Sequence, residues 1–417
     1  MTRSTLPTRS TLSRLATLVL ALVMFALALT ACTAAHAEGP TAAECAKIFG
    51  YEPASDGPAG VLVYDASRSR PGGGLAAEAA TLIRDLSERK GSLSVLLVDG
   101  EGAKPQWILS GAGLNRDDVG VDTAVHRTAV SRSVPCVERE LAGVAPTAPG
   151  TDLAEAMRAA AEAGTTSGAT HYVIETDGFA NTGALNLVDR VNEASVADVV
   201  AGLTAAGWDP RFEGASVAFT GIARTYGEVV APVHAAWLRS LYQALCERSG
   251  AATCAVPVAD QAVAAGGESE RSGAPADAGL ALAAIDTHTT DAGRTVVVPG
   301  SLLFGPDSAV LAAEADATLV EVAECVRQGA TVTVVGHAAP DPAARAGWAD
   351  ELARARADAA SARLVELARG DAGSGTDGIT GGSAERVSAE GRGDTQPLPG
   401  GSAAENRRVE FVIVGGC

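Results

Sequence analysis

The chain has 417 residues, with 32 basic and 50 acidic side chains and a formal net charge of −18. This excess of acids argues against nucleic acid or an anionic membrane surface as a binding partner. The length allows two or three domains. Composition therefore leaves the function to be inferred from particular motifs.

The N-terminal segment has the features of an export signal. Three arginines precede an apolar run over residues 15–29, and small residues follow it. The sequence Leu-Thr-Ala-Cys at 29–32 resembles a bacterial lipobox, which implies cleavage before Cys32 and lipid attachment to it. An ordinary signal peptide cut near Ala35-His36-Ala37 is the alternative. The run is shorter than the ~20 residues that span a bilayer. We therefore predict a signal peptide over 1–31, an N-terminal tether over 32–57, and an exported protein with a lipid anchor in the plasma membrane or an outer membrane.

Six further cysteines, an even number, indicate disulfides in an exported protein. They are Cys45, Cys136, Cys246, Cys254, Cys325 and Cys417. Proximity favours a bond between the third and fourth and places the last two in one domain, which leaves the first two by elimination. Six cysteines allow about fifteen pairings, so the sequence alone does not settle the connectivity.

Apolar strands and amphipathic helices alternate between residues 58 and 255. The predicted strands cover 60–64, 93–98, 170–176 and 215–222, with a short edge strand at 107–109. The predicted helices cover 75–86, 152–163, 196–206 and 232–248. Such alternation builds a doubly wound α/β domain around a mostly parallel sheet.

Oxygen-bearing side chains follow the predicted strands of this domain. Asp65, Ser67 and Ser69 come directly after the buried run Val-Leu-Val-Tyr. Thr151 precedes a helix, and Asp177 ends a second apolar strand. In open α/β sheets ligands bind outside the carboxyl ends of the strands. Because hard oxygen donors suit a hard divalent cation, these residues predict a metal site at that edge.

The order D-x-S-x-S, a lone Thr, then T-D-G resembles the metal-ion-dependent adhesion site of von Willebrand factor A domains. The resemblance implies that Ser67, Ser69 and Thr151 ligate Mg²⁺, or another hard cation such as Mn²⁺ or Ca²⁺, directly or through water. Asp65 and Asp177 would supply negative charge. The resemblance also implies an open coordination position for a carboxylate offered by a protein partner.

Residues 256–292 are rich in Ala, Gly, Ser and Asp and are predicted to form a flexible linker. Strand and helix patterns then resume over 293–417 in the order β-α-β-α-β. The predicted strands cover 295–304, 331–337 and 406–413; the predicted helices start at Asp307 and cover 349–368. We therefore expect a second, α+β domain.

Several motifs in this second domain resemble the OmpA-like peptidoglycan-binding domain. They are F-x-x-D-S-A from Phe304, V-x-G-H ending at His337, L-A-R-A-R-A at 352–357, G-R-G with Pro397, and N-R-R-V-E at 406–410. The resemblance implies that an arginine and an acid clamp the diaminopimelate of the peptidoglycan stem peptide. Arg356 matches the arginine, and an Arg fork suits a carboxylate.

The acid of the clamp is less clear. Ala338-Ala339 stand where the family has Thr-Asp, and Asp341 is the nearest carboxylate, at the family's spacing from Arg356. Either Asp341 substitutes through a loop shift, or stem-peptide binding is weakened or altered.

We interpret the protein as a non-catalytic envelope lipoprotein that presents a metal-dependent protein-binding domain. It would be anchored by lipid and bound non-covalently to peptidoglycan. The alternatives are a metal-dependent envelope hydrolase and a structural spacer without metal. Catalysis is disfavoured because Ser67 stands where a D-x-D phosphatase motif needs its second acid. Asp99, Asp117 and Asp118 are treated as solvated acids outside the site.

Overall fold

The computed structural model describes residues 39–50, 52–70, 74–114, 123–188, 190–225, 230–257, 275, 282, 284–290, 293–305, 307–312, 314–341, 343–370, 382–415 and 417. Cys32, the predicted lipid attachment site, lies outside these residues, as do Asp117 and Asp118. The described part of the chain contains two sheets, one of six strands and one of five.

The six-stranded sheet belongs to the N-terminal domain. Its strands are β1 (Ala59–Tyr64), β2 (Ser92–Leu97), β3 (Gln106–Gly113), β4 (His171–Glu175), β5 (Ser216–Thr220) and β6 (Thr253–Ala255). Their order in the sheet is β3-β2-β1-β4-β5-β6, and only the β2–β3 pair is antiparallel. Every residue of β1 is buried, as its apolar run predicts for a central strand.

Helices cover both faces of this sheet. They are α1 (Ala42–Phe49), α2 (Ala77–Glu88), α3 (Thr123–Ala142), α4 (Leu153–Ser167), α5 (Arg190–Glu193), α6 (Val196–Ala205) and α7 (Pro232–Arg248). One buried cluster includes Met157 of α4 and Leu238 of α7, and a separate cluster includes Ile83 of α2 and Val137 of α3. The predicted α/β class with a mostly parallel sheet is confirmed.

The chain reverses its winding direction at β1. From β1 it passes to β2 on one side, and it later returns to β4 on the other side. The carboxyl ends of β1 and β4 therefore flank a topological switch point, the place where open α/β sheets bind ligands. Asp65 follows β1 and Asp177 follows β4, so the topology brings two distant parts of the chain to this place.

The N-terminal tether predicted over 32–57 is wrong for the residues described. Thr41 caps α1 through a reciprocal pair of hydrogen bonds with Glu44, and Cys45 of this helix is fully buried. A disulfide to Cys136 fixes α1 to α3. This segment is therefore part of the N-terminal domain.

The five-stranded sheet forms the C-terminal domain. Its strands are β7 (Asp286–Thr290), β8 (Gly293–Pro299), β9 (Thr331–Gly336), β10 (Val387–Gly391) and β11 (Arg408–Val414), arranged β10-β9-β11-β8-β7. A 3₁₀ turn (Gly300–Leu302) follows β8. The helices are α8 (Ala315–Arg327), α9 (Trp348–Arg369), α10 (Gly382–Glu385) and α11 (Ala403–Asn406).

Several elements of the C-terminal domain differ from the sequence prediction. Strand β7 lies inside the predicted linker and pairs antiparallel with β8. Helix α8 begins at Ala315 and not at Asp307, because Phe304 and Leu311 first form a β-bridge across a turn. Strand β10, which the β-α-β-α-β prediction lacks, pairs parallel with β9.

All three disulfides join the cysteines that proximity and elimination favour. They are Cys45–Cys136, Cys246–Cys254 and Cys325–Cys417. The first two lie in the N-terminal domain and the third in the C-terminal domain. Within the described residues, no helix has the length and hydropathy needed to cross a bilayer.

Candidate functional site

Asp65 stands at the tip of β1 with its carboxylate turned into the protein. It is only 1% exposed, and its amide donates to the Glu175 carbonyl of β4 at 2.9 Å. One carboxylate oxygen accepts from the Ser67 amide at 2.8 Å, and the other accepts from the Thr176 hydroxyl at 2.7 Å. The ends of β1 and β4 are thus joined by side-chain as well as backbone hydrogen bonds.

Asp177 is the second buried carboxylate at this point, with no exposed surface. Its Oδ1 accepts from the Phe179 amide at 2.8 Å. Burial and the negative charge of Asp65 raise the pKa of Asp177 to about 7, although hydrogen bonds from Ser69 and Phe179 act in the opposite direction. The hydroxyls of Ser67 and Ser69 lie 3.1 Å apart. Four of the five predicted oxygen donors therefore converge.

Thr151 lies in the loop before α4, and hydrogen bonds join this loop to the one that follows β4. The Thr151 amide donates to Asn181 Oδ1 at 2.7 Å, and the Asn181 amide donates to the Thr151 carbonyl at 3.3 Å. Gly150 makes this approach possible, since it has a φ of +91° and a Cβ there would overlap the Thr182 side chain. The structure thus places Thr151 beside the Asp177 loop.

Two buried oxygens of this cluster lack a hydrogen-bond partner. They are Thr151 Oγ1 and Asp177 Oδ2. Buried polar atoms are nearly always satisfied in folded proteins, so such a pair at a switch point suggests a bound ligand. Among the described residues there is no group of three or more His, Cys, Asp and Glu that could hold a metal. A cation here would therefore depend on hydroxyl oxygens and two carboxylates, a set that fits Mg²⁺.

Two buried charged residues near the cluster were not predicted to belong to the site. Arg70 is buried, donates to the Asp65 carbonyl at 2.7 Å, ion-pairs with Glu175, and stacks over the Tyr64 ring. Asp99 is 2% exposed, so treating it as a solvated acid was wrong. Its position two residues past the apolar strand β2 was the available signal, because Asp65 likewise follows the end of the neighbouring strand β1.

In the C-terminal domain, Arg356 points inward from α9. The residue is 2% exposed, its Nε donates to the Ser308 carbonyl at 2.8 Å, and its guanidinium lies 5.4 Å from the centre of the Phe304 ring. Nη1 is buried without a hydrogen-bond partner. Burial lowers the pKa of Arg356 to about 10; the Asp307 charge opposes this effect and the Arg407 charge adds to it.

Asp341, the predicted partner of Arg356, is exposed at the end of the segment after β9. Its Oδ1 accepts from the Ala343 amide at 2.8 Å. No hydrogen bond or ion pair joins Asp341 to Arg356, both of which are described. Ala338 and Ala339, which replace the family's Thr-Asp, are buried. The acid that acts on Arg356 in this structure is Asp307, so a clamp formed by Asp341 stays a prediction.

Residues 303–410 match the OmpA family. The C-terminal domain is OmpA-like. The match begins at the residue before Phe304 and ends at Glu410, so it includes Arg356, Asp341 and the N-R-R-V-E motif. It covers 26% of the chain and none of the N-terminal domain. None of the curated proteins matches the chain.

Several solved structures resemble about a third of the chain. The cell wall anchor of the T6SS from Pseudomonas aeruginosa is 29% identical, with 31% of this chain and 88% of that chain covered and a TM-score of 0.26. A MotB-like protein from Desulfovibrio vulgaris is 25% identical, with 31% and 78% covered and a TM-score of 0.26. The periplasmic domain of Helicobacter pylori MotB (residues 78–256) is 20% identical, with 32% and 83% covered and a TM-score of 0.26.

Proposed function

We propose that this protein is an envelope lipoprotein whose OmpA-like domain holds peptidoglycan while its N-terminal domain holds a partner protein through a divalent cation. The observation that carries the proposal is the pair of buried carboxylates at the switch point, Asp65 and Asp177, beside a partnerless Thr151 hydroxyl. The residues have the types and order of a von Willebrand-type adhesion site.

Charge explains why this cluster suits a cation. Burial first, and then repulsion from the buried Asp65 carboxylate, raise the pKa of Asp177 far above its usual range. Bound Mg²⁺ would neutralise this repulsion. It would also leave one coordination position open for a carboxylate of a partner protein. Ser67, Ser69 and Thr151 would supply neutral oxygens, and Asp65 and Asp177 would supply charge.

Wall binding would depend on the guanidinium of Arg356. Nη1 is the atom left for a carboxylate, and an Arg–carboxylate pair in a desolvated site is a strong contact. Because Arg356 is 2% exposed, a stem peptide would have to displace the segment that carries Ser308. Asp341 would meet the amine of diaminopimelate from the loop after β9.

Lipid attachment at Cys32 would add a second point of anchorage. Two linked attachments raise the effective local concentration of each, so a modest affinity for the wall would be enough. The lipid and the wall together would hold the N-terminal domain near the membrane surface.

Isothermal calorimetry tests the metal half of the proposal. We expect the parent protein to bind Mg²⁺ or Mn²⁺, and Asp177→Asn to lose at least about tenfold in affinity, since removing one charged ligand weakens a hard-cation site. Asp177→Asn keeps the size of the side chain and removes the repulsion with Asp65, so the metal-free variant should stay folded. Asp209→Asn, at an exposed acid, is the charge-matched control. No binding heat in the parent would refute the metal site.

A pull-down from solubilised envelope with and without EDTA tests the binding of a partner protein. A partner retained only without EDTA would support metal-dependent capture.

Sedimentation with purified sacculi tests the binding of the protein to the wall. The protein should pellet with sacculi. A pellet unchanged by Arg356→Ala would contradict the proposed clamp.

A further inference from the structure

Asp99 lies at the end of β2, next to the end of β1. The Val98 amide donates to the Tyr64 carbonyl at 3.0 Å, so the parallel pairing of the two strands continues to this point. Asp99 is therefore one strand away from Asp65 along the same edge of the sheet. Asp99 is a buried acid that is not among the predicted metal ligands.

The Asp99 carboxylate accepts five hydrogen bonds. Oδ1 accepts from the amides of Gly100, Thr147 and Ala148 at 2.8, 2.8 and 2.9 Å. Oδ2 accepts from Gln106 Nε2 at 2.7 Å and from the Thr147 hydroxyl at 2.8 Å. Three of the five donors belong to residues 147 and 148, so most of the carboxylate's bonds hold one loop.

The backbone of the same region fixes the other end of this loop. The Asp99 carbonyl accepts from the amide of Asp152, the N-cap of α4, at 2.9 Å. The Glu101 amide donates to the Pro149 carbonyl at 3.1 Å. Thr151 lies between these anchored points, and its side chain is held by no hydrogen bond of its own.

We infer that Asp99 is a positioning residue for the metal centre, which fixes the loop 147–152 so that the Thr151 hydroxyl faces the oxygens of Asp65 and Asp177. This inference rests on the proposed function. It explains why a fully bonded carboxylate is buried beside the site, where an apolar residue would cost less to bury. Residues that hold metal ligands in place by hydrogen bonds, without touching the metal, raise the metal affinity roughly 10–100-fold.

Calorimetric titration of the full chain with Mn²⁺ compares three variants with the parent. In Asp99→Asn the new NH₂ group cannot accept from Gln106, and loss of the negative charge weakens the bonds that the Thr147 and Ala148 amides donate, so the Kd should rise about tenfold. Gln106→Ala removes a bond that does not reach the loop, so its Kd should match that of the parent. Thr147→Val removes only the hydroxyl bond from loop to Oδ2 and should weaken binding less than Asp99→Asn does.

A merely structural role for Asp99 predicts a different result. A variant that is destabilised but still folded at the assay temperature keeps its metal Kd, because the unfolded fraction stays negligible. In metal-free Asp99→Asn, amide hydrogen exchange should accelerate at Thr147, Ala148 and Asp152, while β1 stays protected. Unchanged exchange at these three amides would overturn the inference.

The two proposals fail in different ways. If the parent binds Mn²⁺ and both Asp99→Asn and Thr147→Val bind it equally tightly, positioning by Asp99 is refuted and the metal site stands. If the parent does not bind Mn²⁺, both are refuted. If Asp99→Asn fails to fold, the Mn²⁺ affinity of Thr147→Val decides: a weakened affinity supports positioning by Asp99, and an unchanged affinity refutes it.

Discussion

Replacing Arg356 with methionine should raise the stability of the protein and abolish its binding to sacculi. The guanidinium is buried against Phe304, and its Nη1 makes no hydrogen bond. An isolated buried charge costs folding free energy, whereas methionine fills similar space without that cost. The same charge is what would attract the carboxylate of a stem peptide, so stability and binding should change in opposite directions.

The magnitude follows from the pKa of Arg356, which burial lowers from 12.5 to about 10. At about 1.4 kcal/mol per pKa unit, the charge destabilises the folded state by about 3 kcal/mol. Methionine loses the hydrogen bond to the Ser308 carbonyl, worth about 1.5 kcal/mol, and some cation–π attraction to Phe304, about 0.5 kcal/mol. A net stabilisation of about 1 kcal/mol remains.

The stabilisation expected of Arg356→Met does not change across the neutral pH range. Arg356 is charged in both the folded and unfolded states below its lowered pKa of about 10. The penalty is therefore fully present at pH 6–9 and disappears only as the pH rises from about 10 to 12.5. Arg356→Met should keep the same advantage over the parent throughout the neutral range.

Equilibrium urea unfolding, followed at pH 7, measures the change in stability, and sedimentation with sacculi measures binding. Arg354→Met is the matched control, because Arg354 lies two residues away on the same helix, is exposed, and pairs with Asp358. The control should change neither quantity. A midpoint for Arg356→Met well below that of the parent would show that the guanidinium stabilises the fold, and the reasoning would be wrong.

Three further predictions concern the N-terminal domain. Gly150→Ala should destabilise the protein by about 1–3 kcal/mol, measured by urea unfolding, because of the positive φ and the overlap with Thr182. Burial lowers the pKa of His234 to about 4, so stability should fall by up to about 3 kcal/mol as the pH drops from 6.5 to 4, and His234→Phe should lose this dependence. The Cys45–Cys136 disulfide closes a loop with a sequence separation of 91 residues, and replacing both cysteines by serine should cost about 4 kcal/mol.

The periodicity of the sequence was sufficient to predict most of the sheet and its main helices, because those elements carry their own apolar pattern. It was insufficient for β7, whose residues Asp-Thr-His-Thr-Thr match the composition of a linker. This strand lies at the edge of the sheet and, among the described strands, pairs with β8 alone. Its strand character comes from that neighbour, which no local pattern reveals.

Helices α1 and α3 were missed for a related reason. Helix α1 has eight residues, too few to be stable alone, and depends on the disulfide that fixes Cys45 to α3. Helix α3 contains Pro135 and has a weak apolar stripe. Both elements depend on contacts between residues about 90 positions apart.

The oxygen donors at the end of β1 and β4 could be predicted as a set because order and residue type are local information. The role that we propose for Asp99 could not be predicted, because its hydrogen-bond donors Thr147 and Ala148 lie 48 and 49 residues away. An aspartate is written the same way in a sequence whether it is buried or solvated. What distinguishes Asp99 is the loop that returns to it after α3.

The two domains share one physical feature, a buried charged group that no salt bridge neutralises within the described residues. In the N-terminal domain it is the carboxylate pair of Asp65 and Asp177, and in the C-terminal domain it is the guanidinium of Arg356. A buried charge of this kind costs folding free energy, so under the proposed function each site would gain free energy from a ligand of opposite sign: a cation in the first case and a carboxylate in the second. Ligand binding at each site should therefore raise thermal stability, and the two increments should add if the sites act independently.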